Sequence, residues 1–203
     1  MIKPALTATV FSDYICPFCY IGHLRLERLR EDFDLQVDWR FLEIHPDNPP
    51  EGRPVAELGY PAHHWETLMQ NLARMAEEEG VALPRREFTT NSRRALKLAE
   101  AAKEEGPEVF RRLNARLYEA YFLEQRNIGD PGVLRDLAEQ SALTPERVDA
   151  AWSEPRYDDI LRQNLQDAAR LGINGTPAFV IGGRLVTGAV PLATLRQLAC
   201  SED

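Results

Sequence analysis

A βαβ unit at the start, a ββα unit at the end and an all-helical block between them make this an α/β fold with a helical insertion. Three observations predict it. Short, β-branched, roughly alternating runs occur only near the two ends of the chain. Between about 62 and 172 the apolar residues recur at helical spacing. And a Cys-x-x-Cys pair, Cys16 and Cys19, stands where the first strand-like run gives way to a helix-like one.

Taken in order, residues 5–11 (Ala-Leu-Thr-Ala-Thr-Val-Phe) read as the first strand. The helix after Cys16 carries Ile21, Leu24, Leu29 and Phe33 on one face, with Arg25, Glu27, Arg28 and Glu31 expected on the other. Residues 35–41 alternate apolar and polar, giving a second strand parallel to the first through a right-handed crossover. Pro46, Pro49, Pro50, Pro54 and Pro61 then mark residues 43–61 as a long loop.

Helices follow. Residues 64–79 carry Trp65, Leu68, Leu72 and Met75; residues 92–105 carry Ala95, Leu96 and Ala99; residues 107–124 bury Phe110, Leu113, Leu117 and Tyr121. Asp130-Pro131 and Thr144-Pro145 are helix starts, a capping residue followed by the proline that tolerates the first turn. A last long helix covers 157–171 and stops at Gly172. No strand signal interrupts the block, and its aromatic and leucine stripes read as core. Ala178–Ile181, Gly182-Gly183 and Arg184–Thr187 then make a hairpin with a two-residue turn. Leu192, Leu195, Leu198 and Ala199 close the chain with a short helix entered through Pro191. The expected organisation is one discontinuous domain of residues 1–42 plus 174–203, a helical domain of 62–172 inserted into it, and the Pro-rich loop 43–61 as the joint.

At 203 residues, 44% hydrophobic and 28% charged, the composition is that of a globular protein without low-complexity tracts. A net charge of −8 with no basic stripe argues against nucleic acid or an anionic membrane as partner. No apolar run approaches a membrane span, and the N-terminus leaves no room for a signal peptide before the first strand, so the expected compartment is the cytoplasm. There, disulfides are seldom structural. The oligomer expected is a monomer or homodimer.

Chemistry is concentrated at Cys16-Pro17-Phe18-Cys19. A cysteine at a helix N-terminus meets unpaired N–H groups and the positive end of the helix dipole, which favour thiolate over thiol. Cys19, one turn further in, is placed to attack a mixed disulfide formed at Cys16. A zinc site is disfavoured: only Cys200 remains as a further cysteine, and His23, His45, His63 and His64 lack ligand spacing. No metal and no bound cofactor are expected. Cys200 reads as a free thiol without a role, and His45, His63 and His64 as surface or loop residues.

Gly175-Thr176-Pro177 precedes the hairpin, where a proline cannot donate to a ladder and belongs at an edge or special turn. Together with residues 12–22 (Ser-Asp-Tyr-Ile-Cys-Pro-Phe-Cys-Tyr-Ile-Gly), 41–52, 91–95 and 172–179, this segment resembles the DsbA-like oxidoreductases of the thioredoxin superfamily, in particular their FrnE-type cytoplasmic branch. The resemblance implies a thioredoxin fold with an inserted helical domain and a cis Thr176–Pro177 bond facing the thiols. It further implies a thiol–disulfide oxidoreductase acting on a disulfide-containing protein or small thiol substrate. Cys16 would be the nucleophile, Cys19 the resolving thiol, and Thr176 and Pro177 the substrate-pairing loop, with glutathione a candidate reductant. Hydroxychromene-carboxylate isomerases and kappa-class glutathione transferases share the insertion but typically carry serine at the Cys16 position. A glutathione-dependent isomerase or transferase is therefore the rival reading, and a non-catalytic redox-responsive binding module the third.

The chain departs from the family in two places. DsbA has histidine where this chain has Phe18, and a histidinium there makes the disulfide strongly oxidising; Phe18 predicts a less oxidising couple of reductase or isomerase type, and offers itself as an apolar lip for substrate or as packing. The buried carboxylate that thioredoxin-like enzymes place six residues before the first cysteine is Val10 here, which leaves Asp13 as the candidate for proton transfer or for capping. Asn91 is a candidate substrate contact or a helix cap, and Arg93 and Arg94 a candidate anion contact or solvated surface.

Overall fold

Alternation in the first run becomes strand β1 (Ala5–Ser12), followed by α1 (Pro17–Leu29) and β2 (Asp34–Phe41). In the computed structural model, which describes residues 3–200, the chain continues through β3 (Arg53–Pro54), a 3-10 turn (Val55–Leu58), α2 (Ala62–Glu78) and β4 (Phe88–Thr89). Helices α3 (Arg93–Lys103), α4 (Pro107–Phe122), α5 (Pro131–Gln140), α6 (Pro145–Ser153) and α7 (Pro155–Arg170) come next. The hairpin β5 (Ala178–Ile181) and β6 (Arg184–Thr187) and helix α8 (Leu192–Cys200) end it. Residues 1–2 and 201–203, at the outer ends of the expected discontinuous domain, lie outside the described residues.

The main sheet has the order β2-β1-β5-β6. β1 and β2 are parallel from Ala5 opposite Asp34 to Ser12 opposite Phe41, as a βαβ crossover requires. β5 runs antiparallel to β1, Phe179 opposite Val10, and pairs with β6 across Gly182 and Gly183, whose φ angles of 54° and 69° are the left-handed values a tight hairpin needs. Helices α3 to α7 thus lie between the two halves of an α/β thioredoxin fold, as expected.

Two local expectations are corrected. The stretch 43–61 is not irregular throughout, and the helical block is not free of strand: Arg53 and Pro54 pair antiparallel with Thr89 and Phe88. Each strand is two residues long, too short for alternation to register in sequence. Arg25, expected on the solvent face of α1, is 1% exposed. Its guanidinium donates to Glu79 at 2.7 Å, Glu78 at 2.8 Å and the carbonyls of Ala189 and Val190 at 2.8 and 3.0 Å. α2 and the segment before α8 cover that face of α1, and their carboxylates and carbonyls compensate the buried charge.

The proline-led helices start as their sequences dictate. Asp130 Oδ1 accepts from the N–H groups of Gly132 and Val133 at 2.6 and 3.1 Å, and Thr144 Oγ1 from Arg147 N–H at 3.3 Å. Such caps contribute about 0.5–2 kcal/mol each. A single apolar cluster then runs from Val10, Leu26, Leu35, Trp39 and Phe41 into Leu96, Leu113, Leu117, Leu134 and Val148, so sheet and helical block share one core. Lys103 crosses that seam, its ammonium donating to Trp39 O at 2.6 Å and lying 5.0 Å from the Phe41 ring.

Candidate functional site

The end of β1 and the start of α1 place the thiols. Cys16 is the N-cap residue of α1, with φ −84° and ψ 115°, and Pro17 opens the first turn. The Cys16 carbonyl accepts from Cys19 N–H at 3.0 Å, turning the second thiol back under the first. Both are buried, at 5% and 1% exposure. Opposite them lies the loop before β5: the Thr176–Pro177 bond is cis, and Cys16 Sγ donates to Thr176 O at 3.4 Å. α1 can approach this loop because residue 22 is glycine; a Cβ there would sit 2.8 Å from Phe179 Cζ and 3.5 Å from Pro177 Cγ.

The two thiols differ electrostatically. Hydrogen bonding from Cys19 holds Cys16 below the ordinary thiol pKa, helped by the Thr176 hydroxyl and the Cys19 N–H and opposed by burial. Burial pushes Cys19 well above the ordinary value, and the neighbouring Cys16 adds to the rise. Thr176 Oγ1 is buried with no partner in the dithiol, a hydroxyl left over for a sulfur that acquires charge.

Asp13 is completely buried beside this pair. Its Oδ1 accepts from Ile15 N–H at 3.3 Å, and its Oδ2 from Ile44 N–H at 2.8 Å and the Ser92 hydroxyl at 3.0 Å. Its own N–H donates to Cys19 Sγ at 3.5 Å. Loss of water outweighs these donors and raises its pKa to about 7. Val10, at the usual carboxylate position, is buried and apolar.

The remaining sequence candidates fall further out. Phe18 is half-buried and packs where Ile21, Met69 and Leu72 of α1 and α2 meet. Asn91 gives its amide to Glu43 Oε1 at 2.8 Å and Pro46 O at 3.1 Å, and its carbonyl oxygen accepts from Arg93 N–H at 3.0 Å, so it closes the turn into α3 and ties down the loop after β2. Arg93 is paired with Glu43 and Asp158, each at 2.8 Å, and Arg94 donates to Gly129 O at 3.4 Å. Cys200 is an exposed free thiol.

Sequence reasoning missed a set of buried polar side chains where α4 of the helical block meets β1 and α1. The Ser12 hydroxyl lies beside Cys19, where it favours the thiolate, and shares a 2.6 Å hydrogen bond with the hydroxyl of Tyr118 from α4. Tyr14 donates to Asn114 Oδ1 at 2.8 Å, and Asn114 Nδ2 is 3.3 Å from His23 Nδ1. Burial lowers the His23 pKa to about 4, so the ring is neutral at physiological pH. Serine and tyrosine carry no spacing signature, and contacts across 106 residues leave none.

Among the described residues no group of three or more His, Cys, Asp or Glu side chains is arranged to hold a metal, and no helix is long and apolar enough to cross a membrane. Two surface clefts, one lined by Lys3, Arg30, Phe33, Asp34 and Leu35, the other by residues including Thr9, Asp38, Arg40 and Asp167, do not include the thiols.

The chain that carries this dithiol has counterparts among known proteins. The chain is 33% identical over 185 residues to the uncharacterised protein YwbO of Bacillus subtilis, covering 89% of this chain and 88% of that one. It superimposes with a TM-score of 0.83 on a probable DsbA oxidoreductase from Streptomyces coelicolor, at 28% identity, over 96% of this chain and 88% of that one. A cytosolic disulfide reductase, DsbM of Pseudomonas aeruginosa, shares the fold with a TM-score of 0.69 at 23% identity, over 96% and 93% of the two chains. Residues 7–199, which take in both halves of the fold and everything inserted between them, match the family described as DSBA-like thioredoxin domain, and to that family this chain belongs.

Proposed function

We propose that this protein is a thiol–disulfide oxidoreductase of the reductase or isomerase type, working in the cytoplasm and belonging to the FrnE-type branch of its family. The observation that carries the proposal is the inequality of the sulfurs: Cys16 is favoured as thiolate and faces the Thr176 carbonyl, while Cys19 is held as a thiol beneath it. In the first step the Cys16 thiolate attacks one sulfur of a substrate disulfide, and the other substrate sulfur leaves with the electron pair and takes a proton. In the second step Cys19 loses its proton and attacks Cys16 Sγ; the second substrate thiolate leaves, the substrate is reduced by two electrons and Cys16–Cys19 is oxidised to the disulfide. Asp13, with a pKa of about 7, is poised to accept the Cys19 proton near neutral pH.

Thr176 and Pro177 would pair with an extended substrate backbone as an added strand does, with Phe18 as an apolar lip. Asn91 would act through the loop it ties down beside Asp13. A disulfide-containing protein or small thiol would be the substrate, and glutathione a suitable reductant. Both cysteines are present where the isomerases and kappa-class transferases have serine first, which favours exchange over conjugation.

Insulin reduction by dithiothreitol, run with the wild type and Cys16→Ser beside a glutathione-conjugation assay, tests the proposal. Activity lost in Cys16→Ser supports it. Conjugation that survives in the mutant would instead establish the isomerase or transferase reading, and reversible oxidation without turnover the redox-responsive module.

A further inference from the structure

We propose that Tyr118 of the helical block is a positioning residue for the resolving thiol: through the Ser12 hydroxyl it stabilises the Cys19 thiolate while that sulfur attacks Cys16. The inference rests on the exchange chemistry proposed above and extends it to a residue outside the sheet half. Ser12 is the last residue of β1, next to the Asp13 whose N–H donates to Cys19 Sγ at 3.5 Å. Its Oγ is 2.6 Å from Tyr118 OH, and the two residues are 1% and 0% exposed.

Both side chains are buried, so each hydroxyl has few partners to choose from. In the dithiol the hydrogen bond between Ser12 and Tyr118 can run in either direction. Once Cys19 carries charge, only one direction satisfies all three groups: Tyr118 O–H donates to Ser12 Oγ, and Ser12 O–H donates to sulfur. Two aligned hydroxyls polarise one another and bind an anion more strongly than one does.

The tyrosine ring is held against rotation. Tyr118 stacks on Tyr20 at 5.6 Å and on His23 at 5.2 Å, and tilts against Tyr14 at 4.8 Å. Its hydroxyl therefore has a fixed position relative to β1. Burial, with the charge of Cys19 next, raises the Tyr118 pKa well above that of free tyrosine, so the group stays a donor at every pH at which exchange runs. The titratable groups that face Cys19 are Cys16 on α1, Asp13 after β1 and Tyr118 on α4.

An aromatic disulfide, dithio-bis-nitrobenzoate, separates the two steps. In a Cys200→Ser background, attack by Cys16 releases one thionitrobenzoate at a rate proportional to reagent. Cys19 then releases the second from the mixed disulfide in a unimolecular phase. Tyr118→Phe keeps the stacked ring and should lower the ratio of second to first phase about three- to tenfold, with the pH midpoint of the second phase raised by about half to one unit. Ser12→Ala should lower it about tenfold, and adding Tyr118→Phe to Ser12→Ala should change nothing more, because the tyrosine acts through the serine.

A Tyr118→Phe ratio and midpoint equal to wild type would overturn the inference, as would equal slowing of both phases or additive effects in the double variant. A wild type that never releases the second equivalent overturns the dithiol reading as well. A wild type that does, matched by Tyr118→Phe, overturns this inference alone.

Discussion

Replacing Asp13 by asparagine should stabilise the protein more in alkaline than in acidic solution. The folded chain holds the Asp13 proton until pH about 7, whereas an aspartate in the unfolded chain releases it near 3.8. Between those values the folded state binds more protons, so stability falls as pH rises, and the full penalty is present above pH 7. A displacement of that size corresponds to about 4 kcal/mol at 1.36 kcal/mol per unit. Asparagine keeps an oxygen for Ile44 N–H and Ser92 and cannot ionise. For a chain of this length the gain amounts to about 8–16 °C in Tm at pH 8. Urea unfolding at about pH 5 and pH 8, in a Cys16→Ser background so that no thiolate titrates beside the carboxylate, measures it. His23 contributes the opposite slope between 6.5 and about 4, but equally in both proteins, and cancels from the difference. An Asp13→Asn gain that is the same at both pH values, or larger in acid, would refute the reasoning.

Other expectations follow from the same geometry. Alkylation of Cys16 across pH should show a midpoint below that of a cysteine in solution, about 8.5, and Thr176→Val should move it upward by removing the unpartnered hydroxyl. Because Phe18 supplies no charge to the thiolate, equilibration with glutathione should give a reduction potential more negative than DsbA's roughly −120 mV, and Phe18→His should raise it. Gly22→Ala should cost about 1–3 kcal/mol in urea unfolding, because its methyl group meets Phe179 and Pro177. Arg25→Met, which leaves the buried Glu79 with only the partly exposed Arg28 as partner, should lose several kcal/mol, whereas the exposed pair of Arg162 and Asp159 should be expendable within about 1 kcal/mol.

Much of this molecule is legible in its residues because the information is local. β1, β2 and the hairpin announce themselves by alternation and by Gly182-Gly183, and the proline-led helices by Asp130 and Thr144, since each depends on neighbours a few positions away. Cys16 and Cys19 are legible for the same reason. Arg25 was misread because the groups that bury it, Glu78, Glu79 and Ala189, come from elements more than 50 residues on. β3 and β4 were missed because two residues cannot show a period. At the site, Asp13 could be named from its nearness to Cys16, but its displaced pKa needs Ile44 and Ser92, and Tyr118 needs the whole helical block.

The Cys16 thiol meets its acceptor on Thr176 across 160 residues of chain. A ribosome adding about 5–20 residues per second makes Cys16 some 8–30 seconds before Thr176 exists. For that interval the thiol at the start of α1 is a nascent-chain cysteine without its lid, open to oxidation or to capture by other thiols. The loop before β5 therefore does more than lead into a sheet: its arrival ends the period in which the reactive sulfur stands unguarded.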